Sequence, residues 1–223
     1  MKIRFTYFDG RGHGERIRYA LAAAGLEYEE TLLKVRGDLD AVRDKCLFRQ
    51  VPLLEIDDEE PYIQSYSIVR MIGARFGPKA SDNYKADAFF EQLRDFVLEC
   101  TLGSFGWSDK EVHLEKIKLS ISKHFPMFER VLQRRGGFVT GSEKCWCDYQ
   151  LLYILDYTTE ILGEEVLSSY PLLANVRSKL RVETNMQVFY KTRAKRLVDE
   201  QYILEVRESM LPKEWGFAIA RDM

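Results

Sequence analysis

Strand-type alternation runs out of this 223-residue chain at Gly77-Pro78, and nothing beyond that point restores it. A chain that alternates with period two in its first third, and with period near 3.6 afterwards, has to fold in two parts. Ile3, Phe5 and Tyr7 alternate with Arg4 and Thr6, the signature of a half-buried strand. Residues 15–24 carry the helical stripe Ile17, Ala20, Leu21 and Ala24, and Gly25 stops it. Residues 28–33 suit a second strand, and the polar residues 38–45 a short helix or loop. Pro52 opens a strand at 53–56 and fits either an edge position or a cis turn. An acidic turn at 57–60 and a short strand at 62–64 close a hairpin. Ser65 is placed to N-cap the next helix, with Ile68, Ile72 and Phe76 inward. The order is βαβ followed by ββα, so residues 1–78 are expected to form an α/β unit and residues 84–223 an all-helical one.

In the helical part, residues 85–100 turn Phe89, Leu93, Phe96 and Val97 to one side. Ser108 with Glu111 is a capping box that opens a helix bearing Leu114, Ile117, Ile121, Phe128 and Leu132. Pro126 is expected to kink or interrupt that helix, and Gly136-Gly137 to end it. Residues 147–162 are apolar enough for a buried central helix, Pro171 suits the first turn of another, and 186–195 suits one more. Arg193, Lys195 and Arg196 read as a solvated helix face. The apolar tail around Trp215 and Phe217 needs a surface to cover, and a cleft is the natural one.

Composition removes several classes of function. Charged residues make up 30% of the chain but leave a net charge of −2, so no strong field favours nucleic acid or an anionic membrane. The apolar runs are too short to span a bilayer, and the N-terminus has no apolar signal core. Cys46, Cys100, Cys145 and Cys147 have neither zinc spacing nor a CxxC pair, so no metal site is expected and the thiols are read as reduced in a cytoplasmic protein. What remains is the stretch from Tyr7 to Arg18. It puts an aromatic hydroxyl at a strand's C-terminal end, beside the positive end of a helix, a place suited to holding an anion or making one from a weak acid. Its three glycines match neither GxGxxG nor a P-loop.

Tyr7-Phe8 followed by Gly10-Arg11-Gly12, Glu15, Arg18 and Ala22-Ala23-Ala24-Gly25 resembles the start of a cytosolic glutathione S-transferase of the tyrosine type, nearest the alpha class, with sigma second. The resemblance continues through Phe48-Arg49-Gln50-Val51-Pro52, Glu55-Ile56-Asp57, Gln64-Ser65, residues 91–95, Phe125-Pro126 and Asp148. It implies a thioredoxin-like N-terminal domain, an all-α C-terminal domain, a homodimer, and glutathione as co-substrate. Tyr7 would then donate a hydrogen bond to the glutathione sulfur. The thiolate is the nucleophile, and a free thiol with a pKa of about 8.5 is only a few per cent ionised at neutral pH. Lowering that pKa by about two units takes roughly 2.7 kcal/mol, more than one neutral hydrogen bond supplies, so the helix N-terminus and a nearby cation are expected to add the rest.

The resemblance implies further roles residue by residue. Val51 before a cis Pro52 would pair its backbone with the cysteinyl part of glutathione. Gln64 and Ser65 would hold the γ-glutamyl carboxylate, Arg43 the glycyl carboxylate, and Gln50 would stand beside them. Asp95, and more weakly Lys123, would reach across from the second subunit, where Phe48 would insert as an aromatic key. Phe8, Gly10, Thr101, Leu102, Phe105, Met210, Trp215 and Phe217 would line an apolar pocket for the electrophile.

Three departures stand out. His13 replaces an arginine near the sulfur, so the thiol is expected to be less depressed than in arginine-bearing relatives, with activity rising more steeply with pH. Cys145 replaces a Ser or Thr cap, so Cys145→Ser is expected to stabilise. The tail from Val206 to Met223 matches the family poorly. The competing readings are a glutathione-dependent isomerase of the prostaglandin or steroid type, and a non-catalytic crystallin-like or ligand-binding relative.

Overall fold

A computed structural model describes residues 1–34, 36–101 and 110–193. The first part is a four-stranded sheet in the order β2-β1-β3-β4. Its strands are β1 (Ile3–Phe8), β2 (Glu29–Leu33), β3 (Leu53–Ile56) and β4 (Tyr62–Ile63). β1 runs parallel to β2 and antiparallel to β3, and β3 is antiparallel to β4, as βαβ followed by a hairpin requires. Helices α1 (Gly12–Ala23), α2 (Arg36–Arg43) and α3 (Ser65–Arg75) complete it. Ile3, Phe5 and Tyr7 of β1 join Ile17 and Leu21 of α1 and Ile68 and Ile72 of α3 in the main core. Leu33 and Leu39 form a separate small cluster, with Phe8, Val42 and Val51 packed against it. β1 is therefore covered on both faces, and its C-terminal end lies next to the turn that holds Val51.

The second part holds α4 (Asn83–Thr101), α5 (Lys110–Arg135), α6 (Trp146–Leu162), α7 (Pro171–Arg181) and α8 (Thr184–Thr192), with a 3-10 turn at Glu164–Leu167 that the sequence reading missed. α6 is the buried centre, as its composition implied, and it touches α1, α3, α4 and α7. Among the described residues no helix is long and apolar enough to cross a membrane.

Four expectations change. α1 begins at Gly12, not at residue 15, because the turn glycines are its first helical residues. Ser65 is the first residue of α3, and Gln64 is the N-cap. Pro126 does not interrupt α5, which runs on to Arg135. The proline is on the solvent side, where the Ser122 carbonyl it deprives of a donor can reach water, and buried Phe125 and Phe128 flank it. Arg193 is not on a solvated face. α8 stops at Thr192, and the Arg193 side chain, 7% exposed, folds back onto Glu15 and Glu160. Lys195, Arg196 and the first two residues of the expected capping box, Ser108 and Asp109, lie outside the described residues.

Candidate active site

Tyr7 ends up almost enclosed, 5% exposed, because two glycines let α1 lie directly on its ring. A Cβ at Gly14 would fall 2.4 Å from the ring's Cδ1, and one at Gly12, whose φ is +38°, would fall 2.7 Å from the hydroxyl. The Phe8 ring lies 5.3 Å away, centroid to centroid. The Tyr7 hydroxyl accepts a hydrogen bond from the His13 backbone N–H at 2.9 Å. That bond uses an oxygen lone pair and leaves the phenolic proton free to donate. Burial pushes the Tyr7 pKa up, against the His13 N–H and the charges of Arg18 and Arg16, so the hydroxyl keeps its proton at neutral pH. The His13 imidazole is pushed down to about 4, first by burial and then by Arg16, so it is neutral there.

Around this turn lies a buried charge network. Arg18 reaches Glu15 at 2.9 Å, Glu30 at 2.7 Å and the Gly10 carbonyl at 3.0 Å, which fixes the turn from below. Glu15, fully buried, is also met by Arg11 and Arg193, and both of these bond Glu160 on α6. Arg16 stays out of the network. Its guanidinium lies 3.9 Å from the ring centroid of Tyr66 on α3 and 5.8 Å from that of Tyr153 on α6. Sequence reading missed the buried role of Arg16 and the return of Arg193. The signal was a helix with charges at 15, 16 and 18 on sides that a helix packed between a sheet and a second domain cannot all give to solvent.

Of the second group of expected site residues, Val51 packs against the same small cluster as Phe8, and Gln50 and Gln64 touch each other. The Val51-Pro52 peptide is cis, Pro52 is buried, and Val51 is half-buried with no partner for its backbone among the described residues. Gln64 Nε2 donates to Gln50 Oε1 at 3.4 Å, and both side chains face solvent. Gln64 has a φ of +66°, a conformation costly for a residue with a Cβ. Ser65 follows it, 7% exposed, at the N-terminus of α3. Arg43 is half-buried, with Nε 3.4 Å from Asp40. Phe8 is half-buried and Gly10 buried, both beside Tyr7.

Other expected residues lie apart from this cluster. Asp95 is exposed on α4, and Phe48 is 59% exposed in the loop before the cis bond. Lys123 pairs with Glu99 of its own chain, which also meets the His124 ring at 3.0 Å and the Ser120 hydroxyl at 3.4 Å. Thr101 ends α4, but its side chain, and Leu102, Phe105, Met210, Trp215 and Phe217, lie outside the described residues. The four cysteines are free and buried, and burial pushes every thiol up, Cys100 and Cys145 to about 12. Among the described residues no group of three or more His, Cys, Asp or Glu side chains is arranged to hold a metal ion.

Known proteins share both halves of this arrangement. Residues 3–73 match the family described as glutathione S-transferase, N-terminal domain, and residues 104–193 match the glutathione S-transferase C-terminal domain. The chain is 34% identical over 209 residues to glutathione S-transferase alpha-3 of Rattus norvegicus, covering 88% of this chain and 93% of the relative. It is 30% identical over 217 residues to glutathione S-transferase A1 of Homo sapiens, covering 93% and 97%. Among solved structures, the glutathione S-transferase from Ascaris lumbricoides superposes with a TM-score of 0.72 at 31% identity, over 87% of this chain and 98% of that one.

Proposed function

Because this chain belongs to the glutathione S-transferase family, we propose that Tyr7 is the residue with which it activates glutathione for transfer to apolar electrophiles. The activity is that of a transferase, with glutathione as co-substrate. One observation carries the assignment of Tyr7: its oxygen already accepts the His13 N–H, so its own proton is left available to donate, at the positive end of α1. In the reaction the thiol proton leaves to solvent, Tyr7 keeps its own proton and donates a hydrogen bond to the sulfur anion, and the sulfur pair forms the new bond to carbon while the leaving group, halide in an aryl halide, departs with the pair of the bond that breaks. Neutral His13 contributes its backbone N–H to Tyr7 and no charge.

In this reading Val51 offers its free N–H and C=O to the cysteinyl backbone, and Gln64 and Ser65 take the γ-glutamyl carboxylate at the N-terminus of α3. The strained backbone of Gln64 supports that role, because strain persists where the surrounding structure demands it. Gln50 steadies Gln64, and Arg43 serves the glycyl carboxylate. The active form is a homodimer, with Phe48 inserted into a second copy and Asp95 contributed across the interface. The exposure of both suits partners that are outside the chain. Lys123 pairs with Glu99 in its own chain and would reach the glutathione of a second copy, more weakly than Asp95, by leaving that pair. The units run over residues 1–78 and 84–223, and the electrophile lies between them beside Phe8 and Gly10. Buried thiols with raised pKa values suit a cytoplasmic enzyme that leaves redox work to its substrate. The isomerase reading shares all of this, but the relatives are named as transferases.

The test is conjugation of glutathione to a general aryl halide. Tyr7→Phe is expected to lose about tenfold to a hundredfold in kcat/KM. A fall of less than twofold would remove Tyr7 from the role. An inactive wild-type protein that is still retained on immobilised glutathione would favour a carrier.

A further inference from the structure

Of the buried charges on α1, Arg16 differs from Glu15 and Arg18 in having no ion-pair partner among the described residues. Arg11, Arg18 and Arg193 share the carboxylates of Glu15, Glu30 and Glu160. Arg16, 2% exposed, has no such partner: its Nε and Nη2 make no hydrogen bond among the described residues, and neither does the hydroxyl of Tyr66, over which it lies. Two tyrosine faces, Tyr66 from α3 and Tyr153 from α6, enclose it, and ring faces alone do not replace the water a guanidinium loses. The other charges near this spot are already engaged. On α4, Glu91 pairs with Arg70 and Arg94, on α6 Glu160 is taken by Arg11 and Arg193, and His13 is neutral. A buried cation left without an anion points to an anion that arrives later.

Arg16 lies three residues after His13 on α1, one helical turn along the same face. Its charge favours the ionised form of Tyr7 and opposes protonation of His13, so its field reaches the place where the sulfur would bind. Resting on the assignment of Tyr7 to glutathione, we propose that Arg16 is the positioning residue whose uncompensated charge stabilises the thiolate of bound glutathione, taking from within α1 the part that a neutral His13 does not play. The thiolate supplies the missing negative charge, and the thiol proton goes to solvent. Arg16 touches no reacting atom and acts through the field around Tyr7.

The experiment titrates the ultraviolet absorbance of the thiolate of bound glutathione in the wild type, Arg16→Gln, Arg16→Lys and Tyr7→Phe. The wild-type midpoint is expected about one pH unit or more below the free thiol value of about 8.5. Arg16→Gln is expected to move it up by about one pH unit, leaving about tenfold less thiolate on the acid side, and Arg16→Lys to restore most of the difference. Affinity for S-methylglutathione, which has no thiolate, is expected to change less than about twofold. Should the glutamine variant fail to fold, Arg16→Met keeps an apolar stem between the two rings and serves the same comparison. A depressed midpoint that Tyr7→Phe raises and the neutral Arg16 variants leave in place overturns the role of Arg16 alone. A midpoint at the free-thiol value, unmoved by Tyr7→Phe, removes the Tyr7 assignment and this inference with it. Equal losses of affinity for glutathione and S-methylglutathione would show that Arg16 serves a carboxylate, and a lysine variant no better than glutamine would show that charge is not what matters.

Discussion

At Tyr7 the side chain proposed to activate glutathione is shaped by residues that have no side chain. Gly14 lets the first turn of α1 rest on the ring, and the helix start then delivers the His13 N–H to the hydroxyl. Gly14→Ala puts a methyl group 2.4 Å from ring atom Cδ1. The ring or the helix has to move, and we expect a loss of about 1–3 kcal/mol in stability. Activity should fall by more than about tenfold, since small misplacements of a reacting group are costly. A variant with wild-type melting temperature and rate would show that the turn is not close-packed.

His13 and Asp148 make opposite contributions to the pH dependence of stability. His13 is held near 4, below an ordinary histidine, so on acidification through 6.5 to 4 the unfolded chain takes up a proton first and stability is lost, by up to about 3 kcal/mol. Asp148 is raised to about 6 by burial, so over pH 6 to 4 the folded chain takes up the proton first and stability is gained, by a similar amount. His13→Gln should therefore become more stable relative to wild type as pH falls through that window, and Asp148→Asn less stable. Urea melts at pH 6.5 and 4.5 decide it, and parallel profiles for all three proteins would refute both assignments.

Among the elements, α1 and α6 show what sequence patterns reveal well and what they leave out. The apolar stripe of α1 predicted the helix and its stop at Gly25, yet not its start, because Gly12 and Gly14 look like turn residues until Tyr7 is beneath them. α6 starts at Trp146 with Cys145 as its cap in an extended conformation. The Asp148 carboxylate accepts from the Cys145 and Val139 N–H groups, both at 2.8 Å, so one side of the capping box is strong and the sulfur side weak. Cys145→Ser should raise stability by up to about 1 kcal/mol, and a melting temperature no higher than wild type would count against it. α5 shows the reverse, a local rule overruled. Pro126 costs a backbone bond, but Ile117, Ile121, Phe125, Phe128 and Leu132 are all buried, and their packing keeps the helix continuous past it.

For the whole molecule, the two parts are joined by close packing and by buried polar contacts. Gly73 of α3 admits the Trp146 ring of α6, where a Cβ would stand 2.5 Å from ring atom Cγ. Fully buried Asp156 on α6 accepts from Tyr19 of α1 at 2.7 Å, from Arg177 and Arg181 of α7 at 2.8 and 2.5 Å, and from Tyr190 of α8. Removing this carboxylate leaves two hydroxyls and the Arg181 guanidinium without this acceptor, and Arg177 with Glu164 alone, so Asp156→Ala should cost about 3–5 kcal/mol. A denaturant midpoint within 1 kcal/mol of wild type would show the hub to be dispensable.

By itself the sequence determined the two-part architecture, the order of strands and helices, and the place of Tyr7 at a strand end before a helix. Each of these follows from contacts between residues close in the chain: period-two and period-3.6 apolar spacing, glycine stops and proline turns. Only the tertiary structure decided that Glu15, Arg16 and Arg18 are buried, that Arg193 returns across 178 positions to Glu15, and that Arg16 meets no carboxylate among the described residues. Charge compensation in a low-dielectric interior depends on which groups meet in space, and one-dimensional spacing carries no record of that. Arg193, which reads as part of a solvated face in the sequence, is instead a buried partner of Glu15 in the helix that packs on Tyr7.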